Sequence, residues 1–594
     1  MITMKRILKT MLLVLIILMS TVSCNKDELF VEEKEIVKEE TPGGNNEEPE
    51  EEEEPGKPDA TLPCDFTLDN VEPNSTIVIN CILDLEGKTV DLPANVTIDY
   101  EGGDIINGTI NFSEGNTIDG NLLNSTLIIG GTKPQVKDPT FNFDPKRWGI
   151  VEGKVSDDVA WENRNILSEI FIKVKELGVN TFRIDEMDAY FKVSKDDNFP
   201  PKSRMADIFI PSDFNLIMTD NTHLRVQPNK YTDYTLLGVY DVSHVTIKGG
   251  HLHGDRDEHQ YIDHGGETGH GDSSLINLEA AYDVVVDGVH MIDATGDGIL
   301  VKAIGFAFNP DYNPSNKILI KNCIIDKSRR NNISIVNAHD VVVEHCEILN
   351  AGAPTGKSVG TLPMMGIDIE AYRSTDDNGN IIYYELAQNI TIRNNIERGS
   401  VTTAFTVFIG DDVTIEDNET ENGIGYAYAT GVKIKNNKIT GDGTDKYISA
   451  IGAGKADTET TYDCEISGNT IVGYNTAITL YSKDTKIFDN ETEDCRRGIF
   501  VTNSNNIRNV DIYGNTFKSD RSNSAGFYAQ LAALNDINIY ENEIDVNGNA
   551  VHFSSVNLEA GTENNTVTVN NNFFMSSNPA KVSNSNGIIL RDNN

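Results

Sequence analysis

Five of the eleven histidines of this 594-residue chain lie in one segment, HLHGDRDEHQYIDHGGETGHGD, at residues 251–272. A neutral imidazole can remove a proton near neutral pH, and a charged one can bind an anionic group. Aspartates are interspersed among the histidines, so a transition-metal site is an alternative, although no HxxxH pair occurs on a predicted helix. A solvated loop is a third interpretation. We favour acid–base and binding chemistry, with His264 and His270 as catalytic candidates and His251 and His253 as substrate-binding candidates.

A second group of residues that could take part in catalysis lies within three similar segments, GDGILVK, RNNISIV and GIDIEAY. Their isoleucines, Ile299, Ile333 and Ile367, are 34 residues apart, which predicts three stacked strands. Side chains alternate across a strand, so if the isoleucines point inward, their neighbours point outward. The pattern predicts an exposed patch that contains Asp297, Lys302, Arg330, Asp368 and Glu370. Arg329 directly precedes it, and Arg329 and Lys302 are substrate-binding candidates.

Two reactions fit these residues. In elimination, a base removes the proton beside a uronate carboxyl, a cation or Ca²⁺ neutralises that carboxyl, and an acid protonates the leaving oxygen. The elimination hypothesis assigns the base to His264 or His270, neutralisation to Arg330 and Lys302, the acid to Tyr372, and calcium binding to Asp368 and Glu370.

In hydrolysis, Asp368 and Glu370 serve as acid and base across a glycosidic bond. Two steps along a strand cover about 6.5 to 7 Å, and this separation favours inversion. The sequence favours elimination, as a polysaccharide lyase or an oligosaccharide dehydratase, because the histidines and Arg330 have no necessary role in a two-carboxylate hydrolase. Glycan binding without catalysis is a third class.

The elements that must position these residues repeat along the C-terminal half. Segments such as VVVEHCEI at 341, VKIKNNKI at 432 and INIYENEI at 537 combine a short alternating strand, a turn and one special residue. Most spacings lie between 19 and 32 residues, which predicts the coils of a parallel β-helix with stacked, buried amides. The special positions are Cys323, Cys346, Asn395, Asn418, Asn437, Asn469, Asn490, Asn515, Asn542 and Asn572.

One segment breaks the strand pattern. Apolar residues at Ile166, Ile170, Val174 and Leu177 have helical spacing, and Gly178 is a suitable end. The spacing predicts a helix over 158–177. Because an open end of a β-helix exposes unpaired backbone groups, we expect this helix to cover one.

The predicted helix is followed by TFRIDEMDAYFKVS and IFIPSDFNLIMTDNTHLRV, and the later coils contain GDGI and GIDIE. This combination of segments is similar to the pectin-lyase-like superfamily. The resemblance implies an all-β chain with a right-handed parallel β-helix over 61–594, and an enzyme that acts on acidic or neutral polysaccharides. ATGDGI resembles the NTDGI element of polygalacturonases, with Asp297 at the aspartate position, but no paired aspartates follow.

The N-terminus reads as an export signal. MKRILKTMLLVLIILMSTVSC has a basic start and an apolar run that is too short to span a membrane. Its end resembles a bacterial lipoprotein signal, and CNKDEL resembles the surface-export signal of Bacteroidetes lipoproteins. The resemblance implies a signal peptide over 1–23, lipid (such as palmitate) on Cys24, and a lipid anchor at the surface of the outer membrane.

Charge restricts the partners. Residues 25–60 contain 15 acidic and 4 basic residues and few apolar ones, so 24–60 is predicted to be a disordered tether. The formal net charge of the whole chain is -43, which disfavours nucleic acid. An acidic polysaccharide could bind only where basic residues gather. We expect a monomer whose only cofactor, if any, is Ca²⁺. Cys64 and Cys81 could form a disulfide, but the sequence does not establish it.

Overall fold

Short strands in which buried and exposed residues alternate make up most of the fold, as in Val245 and Ile247 between the more exposed Thr246 and Lys248. The computed structural model describes residues 62–194, 207–261, 270–444, 449–455, 460–502, 507–558 and 566–594. The chain divides into units 1–56 and 57–594, and the described residues belong to the second. The predicted signal, Cys24, the tether up to residue 60 and His264 lie outside the described residues.

The N-terminal strands form three small parallel sheets. These strands are β1 (Thr76–Ile79), β4 (Thr97–Tyr100), β7 (Thr117–Ile118) and β9 (Gln135–Val136) in the first sheet, β2 (Ile82–Asp84) and β5 (Asp104–Ile106) in the second, and β3 (Thr89–Asp91), β6 (Gly108–Phe112) and β8 (Leu127–Gly131) in the third. A disulfide joins Cys64 to Cys81 beside them.

Three long parallel sheets, named A, B and C, follow. Sheet A consists of β10 (Thr140–Phe143), β11 (Thr181–Ile184), β14 (Phe214–Met218), β17 (Ser243–Lys248), β20 (Tyr282–Asp287), β23 (Ser315–Lys321), β26 (Ala338–Glu344), β31 (Ala387–Arg393), β34 (Asp411–Glu416), β37 (Lys433–Lys435), β40 (Cys464–Ser467), β43 (Thr485–Phe488), β46 (Ile507–Tyr513), β49 (Ala533–Tyr540), β52 (Asn557–Leu558), β53 (Val567–Asn570) and β56 (Ile588–Arg591). Sheet B consists of β12 (Met187–Phe191), β15 (Thr222–Val226), β18 (His251–His253), β21 (His290–Ile292), β24 (Ile324–Asp326), β27 (Glu347–Leu349), β32 (Ile396–Arg398), β35 (Glu419–Thr420), β38 (Lys438–Thr440), β41 (Thr470–Val472), β44 (Glu491–Glu493), β47 (Thr516–Ser519), β50 (Glu543–Val546) and β54 (Phe573–Phe574). Sheet C consists of β13 (Ile208–Phe209), β16 (Thr235–Tyr240), β19 (Ser274–Glu279), β22 (Asp297–Lys302), β25 (Ile333–Ile335), β28 (Ile367–Ile369), β33 (Phe405–Phe408), β36 (Ile424–Ala427), β39 (Ile451–Ala453), β42 (Thr476–Leu480), β45 (Arg497–Thr502), β48 (Ala525–Gln530), β51 (Asn549–Ser554) and β55 (Asn578–Ser583).

Most coils contribute one strand to each long sheet in the order A, B, C, so the chain forms the predicted parallel β-helix. The antiparallel hairpin β29 (Arg373–Thr375) and β30 (Ile381–Tyr383) stands apart from these sheets. The predicted register is confirmed, because Ile299 pairs with Ile333 and Ile333 pairs with Ile367. All three isoleucines belong to the buried apolar core.

The predicted file of buried amides is also confirmed, at the turn from sheet A to sheet B. Asn418 donates from its backbone N and from Nδ2 to Asn437 Oδ1, at 3.0 and 2.9 Å, and Asn437 donates to Asn469 in the same way. The Asn437 Nδ2 group also donates to Ile415 O at 2.9 Å. Cys346 N donates to Asn395 Oδ1, which places that cysteine on the same file. A ladder that satisfies each amide through its neighbour ties successive coils together.

Two helices interrupt the strands between β10 and β11, α1 (Pro145–Trp148) and α2 (Asp157–Glu176). Helix α2 begins after the cap residue Ser156 and confirms the predicted helix to within one residue at each end. Its Phe171 ring packs against Phe182 in β11 and Phe214 in β14, so the helix covers the first coil of the long sheets. Lys173 Nζ on the same helix donates to Leu127 O of the N-terminal strands.

Within the described ranges, no helix has the length and apolar character needed to cross a membrane.

Replacing Asn437 by Leu should lower the free energy of unfolding by about 1 to 3 kcal/mol. The substitution removes the acceptor of Asn418 and leaves buried polar groups without partners. Chemical denaturation followed by circular dichroism measures the change. Asn142→Leu is the control, since Asn142 occupies an exposed strand position and its replacement should change stability by no more than about 0.5 kcal/mol. Equal losses for the two variants would contradict the ladder's role.

Candidate functional site

Three strands of sheet C, β22, β25 and β28, bring the predicted carboxylates together. Asp297 opens β22, Asp368 is the middle residue of β28, and Glu370 follows that strand. Ser334 of β25 pairs with Asp368 in register and lies between the two coils. Asp297 and Asp368 are each 2% exposed, and Glu370 is partly buried. The prediction of an exposed patch is therefore wrong for these two aspartates, because both side chains are buried.

A short hydrogen-bond network joins Asp297 to Asp368. Arg330 Nη1 donates to Asp297 Oδ2 at 2.7 Å, and Asn331 N donates to Asp297 Oδ1 at 3.0 Å. Asn331 Nδ2 donates to Asp368 Oδ2 at 3.1 Å and to Ser334 Oγ at 3.0 Å. Asn331 thus bridges the two carboxylates. Sequence reasoning did not select Asn331 or Ser334 as site residues, although Asn331 stands 34 positions after Asp297, the spacing that aligned the isoleucines.

Burial and crowding of like charges alter the ionisation of this site. Burial, and then the charge of Glu370, raise the pKa of Asp368 to about 8, although Arg330 acts in the opposite direction. Burial also raises the pKa of Glu370 and that of Asp297, and Arg330 opposes both shifts. Burial lowers the pKa of Arg330, but the nearby carboxylates outweigh it and the net shift is upward. Asp368 is therefore the group most inclined to keep its proton near neutral pH.

Loops flank this part of sheet C at both ends of its strands. Before the strands, Thr361 N in the 351–364 segment donates to Arg329 O. After the strands, Ala307 N in the 303–316 segment donates to Tyr384 O, next to hairpin β29–β30. Loops at the ends of solenoid strands commonly form binding surfaces.

The loops that follow the strands carry a cluster of aromatic rings. The Tyr384 ring lies 5.3 Å from Phe306, 5.1 Å from Phe308 and 5.0 Å from Tyr372, measured between ring centroids. Phe306, Phe308 and Tyr372 keep 45%, 55% and 37% of their surface exposed. Tyr372, the predicted acid, is two residues after Glu370 and therefore belongs to an exposed aromatic cluster next to that carboxyl.

The cations predicted to neutralise a substrate differ in their placement. Arg330 is partly buried and faces the carboxylates of Asp297, Asp368 and Glu370. Lys302 Nζ lies 3.4 Å from Glu279 Oε2, the carboxylate of the preceding coil in sheet C. Both cations already have carboxylate partners in the protein.

The structure does not place Arg329, a predicted substrate-binding residue, at an exposed surface. Its side chain is fully buried, and Nη1 donates to His270 O at 2.7 Å. Its guanidinium also lies over the Tyr261 ring at 4.5 Å. A cation enclosed in this way cannot contact a ligand unless the surrounding segment opens.

The structure also places His270 away from any exposed surface, so the proposed base cannot reach a substrate directly. His270 is fully buried, and its Nδ1 lies 3.0 Å from His259 Nε2. The His259 Nδ1 atom is 2.8 Å from Asp255 Oδ2, and Tyr234 OH donates to Asp255 Oδ1 at 2.5 Å. His259 and His270 therefore belong to a buried polar network with Asp255 and Tyr234. The other predicted base, His264, lies outside the described residues.

His251 and His253 do not join the carboxylates either, because they lie on strand β18 in sheet B. His223 of β15 pairs with His251, which pairs with His290 of β21, and the rings of neighbouring histidines are 4.6 and 5.0 Å apart. The structure therefore does not bring His251 and His253, the predicted substrate-binding histidines, to the carboxylates of sheet C. Burial, followed by Arg225 and the other imidazoles, lowers the pKa of His253 to about 3.

Among the described residues, the side chains placed to share one metal ion are His223, His251 and His253. Calcium binding by Asp368 and Glu370 remains a prediction.

The sheets and the carboxylate site define a β-helix protein with a polar centre on sheet C. The family model "Right handed beta helix region" matches residues 380–533, in agreement with the right-handed β-helix expected from the sequence. Two Bacillus subtilis (strain 168) proteins are similar in sequence. "Uncharacterized protein YclG" is 34% identical over 337 residues, 56% of each chain. "SPbeta prophage-derived uncharacterized protein YorA" is 30% identical over 299 residues, 50% of this chain and 49% of that one. The chain thus spans about half the length of these relatives.

Among solved structures, the tailspike protein of E. coli bacteriophage HK620 in complex with a pentasaccharide superposes with a TM-score of 0.53. The match has 12% sequence identity and covers 75% of this chain and 79% of the tailspike chain. At this identity the likeness shows the fold alone.

Replacing Asp368 by Asn should leave the protein as stable as the parent at pH 4 and more stable at pH 8. The pKa of Asp368 is about 8 in the folded protein, whereas its ordinary value is 3.8. As pH rises, the carboxyl therefore loses its proton at a lower pH in the unfolded chain than in the folded one. Asp368 therefore lowers stability as pH rises from about 4 to 8. Thermal unfolding at both pH values measures the effect. Asp545→Asn is the control, because Asp545 is an exposed strand residue. An Asp368 variant that is less stable than the parent at pH 8 would contradict this assignment.

Proposed function

We propose that this protein is a glycoside hydrolase that cleaves a polysaccharide or oligosaccharide at the sheet C carboxylates, with Asp368 as the general acid. The observation that carries the proposal is a buried carboxyl on β28 with a pKa raised to about 8, two residues before a second carboxyl that directly follows the strand. Pairs of carboxyl groups with different proton affinities are the usual equipment for glycosidic bond hydrolysis. The similarity in fold to a tailspike solved with a pentasaccharide agrees with a sugar ligand.

The proposed reaction divides the work between two side chains. Asp368 donates its proton to the glycosidic oxygen as the bond to the sugar carbon breaks. Glu370 accepts a proton from the attacking water. In the proposal the two coupled carboxyls hold one proton between them, which is on Asp368, so Glu370 is ionised. Asn331 holds Asp368 Oδ2 and keeps the carboxyl in place. The net reaction adds one water molecule and creates one new reducing end.

The backbone separation of the two carboxyl-bearing residues supports an inverting outcome. Asp368 and Glu370 are two positions apart, which corresponds to about 6.5 to 7 Å along a strand. Inverting glycosidases need room for a water between acid and base, whereas retaining enzymes hold the two groups closer.

Local charge supports hydrolysis over the elimination favoured by the sequence. Arg330 faces the carboxylates of Asp272, Asp297 and Glu370 as well as the protonated Asp368, so its positive charge is already compensated. A uronate carboxylate entering this region would meet a net negative field unless a cation such as Ca²⁺ accompanied it. In addition, the buried His270 cannot serve as the base without rearrangement. A neutral glycan suits the charge better than an acidic one.

The exposed aromatic rings support a binding surface next to the acid and base. Phe306, Phe308 and Tyr372 present apolar faces beyond the end of β28. Exposed apolar patches of this kind commonly mark ligand sites, and the apolar face of a sugar ring fits against an aromatic side chain.

The proposal places the enzyme on the outer surface of an outer membrane, anchored by lipid on Cys24. Its support is the signal-like sequence that ends in STVSC. Metabolic labelling with a lipid analogue should mark the parent protein and leave Cys24→Ala unlabelled. Equal labelling of both would contradict the anchor.

Incubation with a panel of neutral and uronate-containing glycans should release new reducing ends without the ultraviolet absorbance of a conjugated double bond. Asp368→Asn should lower kcat/KM by about 100- to 10,000-fold, because a general acid is lost. Asp545→Asn is the matched control and should retain parental activity. Absorbance of an unsaturated product would establish elimination instead, whereas binding without any product would support the noncatalytic alternative.

The pH profile of kcat/KM should fall as pH rises through about 8, since Asp368 must be protonated to act and its pKa is raised to about 8. Initial rates on the best glycan from pH 4 to about 10 would define this limb. A rate that stays constant through pH 9, or one that rises there, would contradict Asp368 as the acid. The Asp545→Asn variant should reproduce the parental profile.

A further inference from the structure

The register of sheet B gathers imidazoles from two adjacent coils on one partly exposed surface. His251 and His253 are two positions apart on β18, so both point to the same side of the sheet. His223 on β15 is the register partner of His251 and adds a third imidazole to that side. These three side chains are each partly buried. None of these histidines belongs to the carboxylate site on sheet C.

Distances within this group fit a shared ion. His223 Nδ1 lies 3.0 Å from His253 Nε2, and the ligand nitrogens of all three residues lie within 4.8 Å of one another. Two nitrogens bound tetrahedrally to one zinc ion lie about 3.3 Å apart. The 3.0 Å separation of the His223 and His253 nitrogens is close to this value, and the His251 nitrogen lies within 4.8 Å of both.

We propose that His223, His251 and His253 form a binding site for a single divalent transition-metal ion, of which Zn²⁺ is the best match. Nitrogen ligands from imidazole suit zinc, copper and nickel, whereas magnesium and calcium require oxygen ligands. Three histidines leave the fourth tetrahedral position for water or an external ligand. The inference is independent of the proposed hydrolysis at sheet C.

The positive side chain next to the three histidines is neutralised by a carboxylate, so the site can accept a metal cation. Arg225, two residues after His223 on β15, is the nearby positive group. It binds Asp188 through Nε and Nη2 at 2.5 and 3.1 Å. Asp188 pairs in register with His223, so its carboxylate offsets the guanidinium next to the site. Orienting imidazoles through neighbouring charged groups is common at metal centres.

The histidine spacing also explains why the sequence did not reveal this group. HLH at 251–253 supplies two ligands with strand spacing, but the third, His223, is 28 positions earlier in the isolated segment THLRV. A helical HxxxH pattern was the wrong template, because parallel stacking brings together residues one coil apart.

Isothermal titration of the tag-free full chain with ZnCl₂ tests the proposal. Millimolar Mg²⁺ should be present to occupy the acidic tether and other exposed carboxylates. We expect one Zn²⁺ per chain and a rise in the melting temperature on binding. His251→Ala should weaken binding by about 100-fold or more, since even the loss of an outer partner costs 10- to 100-fold. X-ray absorption of the zinc-loaded protein should show nitrogen neighbours from three imidazoles.

Two controls separate this site from other sources of binding. His244→Ala removes an exposed histidine from sheet A and should leave zinc affinity unchanged. Asp368→Asn should also leave it unchanged, which distinguishes this site from the carboxylates of sheet C. Should a folded His251→Gln variant bind zinc as tightly as the parent, or should the parent bind none under these conditions, the proposal is wrong and the imidazoles form only a stacked, hydrogen-bonded group.

Discussion

In-register stacking of successive coils is the constraint on which the whole molecule depends. Each coil must satisfy its backbone groups through the coils on either side, and a shift of one residue would send the core side chains to the surface. The Asn ladder reinforces this register at the turn between sheets A and B. Each ladder amide receives hydrogen bonds from one coil and donates to others, as Asn437 does between Asn418 and Asn469. The turn residue just before each of these amides, such as Asn436 with φ 54°, adopts the left-handed conformation, which Asn and Asp tolerate better than most residues.

The same stacking creates both chemical groups described above. On sheet C it places Asp297 and Asp368 two coils apart with Asn331 between them. On sheet B it aligns His223 with His251. Residues that are 28 to 71 positions apart in the sequence therefore meet without any loop having to fold into a special shape. Burial removes water from Asp368 and raises its pKa. Stacking thus supplies proximity, and burial supplies the shift in proton affinity that acid catalysis requires.

Much of this architecture could be predicted from the sequence because it follows from spacing. The 34-residue interval gave the correct register for Ile299, Ile333 and Ile367. The repeated amides and the helical pattern before Gly178 were equally direct. What spacing could not reveal was which outward residues become covered. Arg329 and Arg330 are adjacent in the segment before β25, yet one is sealed against Tyr261 and the other faces the carboxylates. The difference depends on non-periodic neighbours, namely Tyr261 and His270 for Arg329 and Asp297 for Arg330, and no periodic pattern encodes those contacts.

The most direct test of the account is a crystal structure of the Asp368→Asn protein soaked with an oligosaccharide from the glycan that the parent processes best. The account predicts a sugar chain across sheet C, with a glycosidic oxygen within hydrogen-bond distance of residue 368. Glu370 should lie on the opposite side of the sugar, and an aromatic ring of Phe306, Phe308 or Tyr372 should pack against a neighbouring sugar. A sugar chain bound on sheet B or elsewhere, with the surroundings of residue 368 unchanged, would contradict the account.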